Sequence, residues 1–155
     1  MTEQEFYMPV LIIGYGNTLR GDDGFGKYVA SLLAERVQDP DVLILMPQQL
    51  TPDLAAQVAA SRMTIFIDAR VGENPGRVHH TTIQAPDRAT PTFQHHITPE
   101  VLAGVTRALY GVVPEMHLLT AEATTFEVRE GLSPALHDSA GDVIGQILTL
   151  ISKSS

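Results

Sequence analysis

The sequence predicts an α/β protein, a single domain over residues 1–155 in which a sheet carries helices on both faces. Two observations predict it. Short, continuously apolar runs stop abruptly at glycine, aspartate or a turn, as strands buried on both faces of a parallel sheet do. Between them lie segments whose apolar residues recur at the helical period. Strands alternating with such segments pack as layers around one sheet.

Pro9 to Ile13 (PVLII) is the first run, ended by Gly14. Asp22 and Asp23 are placed to cap a helix whose apolar face carries Phe25, Tyr28, Val29, Leu32 and Leu33. Val42 to Met46 (VLILM) is a second buried strand. Thr51-Pro52-Asp53 starts a helix that continues through Leu54 to Ala60, with Thr51 as N-cap candidate and Pro52 at the first helical position. Met63 to Ile67 (MTIFI) is a third strand, ending at Asp68. After the turn Gly72 to Gly76, residues Arg77 to Ile83 form a strand, antiparallel to its neighbour because the connection is short.

Gln84 to Gln94 is polar, contains proline and has no periodicity, so it is expected to be a loop. Thr98-Pro99-Glu100 opens a helix with Val101, Leu102, Val105, Ala108 and Leu109 on its apolar positions, and Gly111 ends it. Met116 to Ala121 is the fifth strand. Ser133-Pro134 opens the last helix, which carries Val143, Ile144, Ile147, Leu148 and Ile151.

Composition narrows the function. The formal net charge is -8 with no cluster of Lys or Arg, which argues against nucleic acid or an anionic membrane surface as partner. There is no cysteine, so disulfides, zinc–thiolate sites and a thiol nucleophile are excluded. No basic, apolar leader and no bilayer-length apolar run occurs, and the expected location is the cytoplasm.

In an open α/β sheet the working crevice lies beyond the carboxyl ends of the parallel strands. The first strand is followed by Gly14-Tyr15-Gly16-Asn17-Thr18-Leu19-Arg20-Gly21-Asp22-Asp23-Gly24. A dinucleotide fingerprint fails at Leu19, and no G-K-S/T follows for a phosphate loop. Asp22 and Asp23 would also repel a pyrophosphate. Capping accounts for one acid there; a second beside it is more than a cap requires. Asp68 follows the third strand, either as a loop-starting residue or as a carboxylate at the crevice rim. His95 and His96 precede the next helix, either as a solvated pair or as imidazoles near the same crevice. Two carboxylates and an imidazole from three loops suit a divalent metal of borderline softness. His79 and His80, on an edge strand, and His117 and His137 are read as structural or exposed. The G-x-S-x-G elbow, the H-E-x-x-H helix and paired D-S/T-G loops are all absent, so a hydrolase here would draw on a metal.

The stretch G-Y-G-N-T-L-R-G-D-D-G-F-G resembles the N-terminal signature of the NiFe-hydrogenase maturation proteases, G-x-G-N-x-L-x-x-D-D/E-x-x-G. The resemblance continues at Phe66-Ile67-Asp68-Ala69, at His95-His96-Ile97-Thr98-Pro99 followed by Leu102, at Ala108 to Gly111 and at Glu130 to Pro134, so it covers nearly the whole chain in order. It implies a three-layer α/β/α sandwich around a twisted, mostly parallel five-stranded sheet. It implies a monomeric endopeptidase that removes the C-terminal extension of a NiFe-hydrogenase large-subunit precursor after nickel insertion. Asp23, Asp68 and His95 match the family's catalytic and metal-site residues, with His96 as alternative to His95. The nickel would arrive with the substrate rather than reside in the free enzyme. In type examples of the family the first acid is often Glu; Asp23 is one methylene shorter. A second function class stays open on the residues alone, a non-enzymatic metal-binding or chaperone module acting in hydrogenase assembly, because no nucleophile is evident.

Overall fold

A computed structural model describes residues 8–87, 97–127 and 130–154. Five strands form one sheet, β1 (Met8–Gly14), β2 (Val42–Leu45), β3 (Ser61–Val71), β4 (Val78–Thr82) and β5 (Glu115–Ala123), in the order β2-β1-β3-β5-β4. The pairs β1–β2, β1–β3 and β3–β5 are parallel, and β4 runs antiparallel on β5 at the edge. The helices are α1 (Phe25–Arg36), α2 (Ala55–Ala59), α3 (Pro99–Tyr110) and α4 (Pro134–Ser154), with short 3-10 turns at Gly21–Gly24 and Pro52–Leu54.

Side-chain alternation along the strands builds a core on each face. On one face Val10, Ile12, Ile65, Ile67, Leu119 and Ala121 pack with Phe25, Val29 and Leu33 of α1 and Val143, Ile144 and Ile147 of α4. On the other, Leu11, Ile13, Phe66 and Met116 pack with Ala55 and Val58 of α2 and Leu102 and Ala103 of α3. The sandwich is therefore three-layered, as expected. No helix among the described residues is long and apolar enough to cross a membrane.

Some local expectations change. Asp22 and Asp23 lie in the 3-10 turn, and α1 begins on Gly24 with no side-chain cap. Thr51 likewise makes no capping hydrogen bond, and α2 is shorter than its apolar pattern suggests. Thr98 does cap α3, its hydroxyl accepting from the Val101 N–H at 3.2 Å. The third strand does not stop at Asp68: it runs on to Val71, because β5 continues to pair with it after β1 has ended. The loop expected over Gln84 to Gln94 is described only to Asp87, where neither helix nor strand forms.

The chain leaves β1 toward β2 on one side and returns to β3 on the other, so strand order reverses between β1 and β3. Crevices in open α/β sheets form at such a reversal. Here α1 also packs tightly against β3. A Cβ at Gly26 would collide with the Ile67 carbonyl oxygen and stand 2.6 Å from that of Tyr15, so only glycine lets the helix rest on the strand.

Candidate functional site

The glycine turn after β1 is folded onto the helix that follows it. Gly16 has φ +141°, and a Cβ there would strike the backbone carbonyl oxygen of Asp23. This contact brings Asp23 back beside the start of the loop, where its Oδ2 accepts the Asn17 N–H at 2.9 Å. Asp22 points elsewhere. It is buried, and its Oδ1 accepts the Ser133 N–H at 2.7 Å, across 111 residues of sequence. Ser133 in turn stands at the head of α4, accepting the Leu136 and His137 N–H groups at 3.1 and 3.0 Å through its carbonyl. Of the adjacent acids, then, Asp22 ties the loop to a distant helix and Asp23 faces the crevice.

Asp68 is half-buried in β3, one residue past the Gly14–Ile67 pairing that ends β1. Its Oδ1 accepts the Ala69 N–H at 2.8 Å. Burial pushes its carboxyl up to about 7; hydrogen bonds from Ala69 and the Tyr15 hydroxyl pull the other way, and the charge of Asp23 adds to the rise. Burial, followed by the charge of Asp68, also raises the Tyr15 hydroxyl far above its ordinary value, so it stays a donor.

Asp23 and Asp68 line one cavity of about 770 Å³, together with Tyr15, Arg20, Gln48 and Thr98. The cavity sits on the α2–α3 side of the sheet and reaches the N-terminus of α3 through Ile97, Thr98, Pro99 and Glu100. His95 and His96 lie outside the described residues; the described chain resumes at Ile97, on the cavity wall. Among the described residues no three His, Cys, Asp or Glu side chains group closely enough to hold a metal ion.

Sequence reasoning missed part of this wall. His79 lines the same cavity, and its Nε2 is 2.6 Å from Oε2 of Glu122, a buried residue near the end of β5. His79, expected from the sequence to be structural or exposed, thus lies on the cavity lining as well as in a bond to Glu122. The edge-strand placement was right, but alternation turns His79 toward the cavity and its neighbour away from it. His80 bonds the buried His117 at 2.8 Å, and His117 bonds Glu115 at 2.7 Å. His137 meets the Tyr28 ring edge-on at 5.0 Å. The signal for Glu122 was weak: an acid in a run that looked finished at Ala121.

Fold and site together define an α/β protein with a carboxylate-lined cavity at its topological switch point. No protein-family model matches the sequence, and no curated protein sequence matches it. Among solved structures the chain is similar to the hydrogenase-maturating endopeptidase HybD from E. coli, with TM-score 0.75 and 25% identity over 96% of this chain and 94% of that one. It is also similar to the NiFe hydrogenase maturation protease HycI from Thermococcus kodakarensis KOD1, with TM-score 0.73 and 24% identity over 97% of each. The chain therefore has the fold of these solved hydrogenase maturation endopeptidases.

Proposed function

We propose that this protein is an endopeptidase that removes the C-terminal extension of a NiFe-hydrogenase large-subunit precursor once nickel is inserted. The observation that carries the reading is the meeting of Asp23 and Asp68, 45 residues apart in sequence (68 − 23), on one cavity wall in a fold shared with HybD. A cavity of this size admits an extended peptide segment with its flanking side chains.

In this reading Asp23, Asp68 and His95 form the metal-reading site. Two carboxylates and an imidazole make a donor set for a borderline divalent cation, and the nickel belongs to the substrate, held there by the precursor. Without it, two acids of one sign face the incoming segment and oppose docking; with it, the cation pairs them. At Asp68, burial disfavours the charged form until a cation compensates. The Tyr15 hydroxyl and the Ala69 N–H hold that carboxylate in place, and the Asn17 N–H does the same for Asp23.

The test is direct. Purified protein is incubated with nickel-loaded and nickel-free large-subunit precursors, and the products are weighed by mass spectrometry. Shortening of the loaded precursor alone supports the reading. Stable complex formation with no shortening would favour a non-enzymatic assembly module instead, and efficient cutting of the nickel-free precursor would overturn the metal-reading site.

A further inference from the structure

Strand register puts three polar side chains in a row across the upper sheet. Asp68 of β3 pairs with Thr120 of β5, and Thr120 pairs with His79 of β4. Laterally paired residues project from the same face, and all three line the cavity. Two strand spacings, about 10 Å, separate the backbones of Asp68 and His79. That leaves room between them for a peptide group and a water molecule.

His79 is held as a base would be. Its Nε2 faces Glu122 Oε2 at 2.6 Å, while the Nδ1 has no hydrogen-bond partner among the described residues. Glu122 is itself fixed. Its Oε1 accepts the Asn74 N–H at 3.2 Å, and its backbone N–H donates to Arg77 while its carbonyl accepts from Gly76. The hydrogen bond from His79, then that from Asn74, holds the Glu122 carboxyl below the ordinary range. An ionised carboxylate only accepts, so Nε2 carries a proton, and in the neutral imidazole the lone pair is on Nδ1. A carboxylate that fixes the tautomer and orientation of a histidine is the arrangement general-base catalysis requires.

We propose that His79 is the group that activates water in this cavity, with Glu122 as its positioning residue; the proposal rests on the endopeptidase reading above. Asp23 and Asp68 are then free to read the metal, and the imidazole opposite them does the proton work. Nδ1 takes a proton from water as the water oxygen bonds the scissile carbonyl carbon. The imidazolium returns that proton to the amide nitrogen as the C–N bond breaks. One water is consumed, leaving a carboxylic acid on the large subunit and an amine on the released peptide, which become carboxylate and ammonium by proton transfer.

The experiment uses the full chain and nickel-loaded precursor, comparing wild type, His79→Gln, Glu122→Gln and His80→Gln. His79→Gln should slow cleavage about 100-fold or more, within the range ascribed to general-base catalysis, while precursor affinity measured by co-purification stays within about threefold of wild type. Glu122→Gln keeps an acceptor for Asn74 but presents an amide N–H to the imidazole. The tautomer should reverse, placing the proton on Nδ1, and cleavage should slow about 10- to 100-fold. Long-range proton–nitrogen NMR of the imidazole reads this reversal in the folded protein independently of activity. His80→Gln, on the opposite face, should cleave like wild type. Undiminished cleavage by His79→Gln, or a wild-type imidazole protonated on Nδ1, would overturn the proposal alone. Wild-type protein that leaves the loaded precursor whole would overturn the endopeptidase reading and this proposal with it.

Discussion

Replacing Asp68 with asparagine should make the protein more stable above neutral pH while abolishing its processing activity. Burial raises this carboxyl from 3.8 to about 7 in the folded chain. The folded state therefore holds a proton that the unfolded chain has released. Stability contributed by this group is fully present below about pH 4, is lost as pH rises toward about 7, and changes no further above that. The rise corresponds to at most about 4 kcal/mol. Asp68 is half-buried, so solvent reduces the figure to about 1–3 kcal/mol. Asparagine keeps an oxygen for the Ala69 N–H, now at 2.8 Å, and for the Tyr15 hydroxyl, and it removes the charge. At roughly 2–4 °C per kcal/mol for a chain of this size, Asp68→Asn should melt several degrees above wild type at about pH 8 and nearly level with it at about pH 4. Circular-dichroism melts of both proteins at the two pH values measure the difference directly, since every other titrating group is shared. An equal gap at both pH values, or a variant less stable than wild type above pH 7, would refute the reasoning. A site that costs stability in the resting protein and is used with substrate is a familiar trade.

Three further outcomes are expected. Under the proposed function, Asp23→Ala and His95→Ala should each cut processing of nickel-loaded precursor by about 100-fold or more, and Asp23→Ala should change the melting temperature little because Asp23 lies on the cavity wall; wild-type rates in His95→Ala would transfer the role to His96. Asp22→Ala leaves the Ser133 N–H without its acceptor in a part-buried place and should cost about 1–3 kcal/mol in urea unfolding; unchanged stability would show that the tie to α4 is dispensable. Gly26→Ala separates local from tertiary effects: helix propensity alone favours alanine by about 1 kcal/mol, whereas the collision with Ile67 predicts a net loss of about 1–3 kcal/mol, which the same denaturation assay reads.

The sandwich, the parallel core strands and the edge position of β4 were legible in the sequence, because period-2 and period-3.6 patterns and turn residues are local signals; its antiparallel partner was not, since the short connection pointed to β3 whereas β5 inserts between them. The glycines of the first turn were legible too, as a loop unsuited to phosphate that presents acids at a strand end. What each acid does was not. Asp22 and Asp23 are chemically identical neighbours, and only the position of α4 sends one to Ser133 and leaves the other on the cavity wall. Asp68 looked like the end of a strand because the apolar run stops there; β5 carries the strand onward, and local pattern has no access to a partner more than 40 residues away.

Taken by itself, the amino-acid order determined which segments are strands and helices, which faces are apolar, and that carboxylates follow the first and third strands. The tertiary structure decided the lateral row of Asp68, Thr120 and His79, the burial that lifts Asp68, and the pairing of His79 with Glu122. Those depend on register between strands distant in sequence, and register is chosen by the packing of both sheet faces at once, which no single segment encodes.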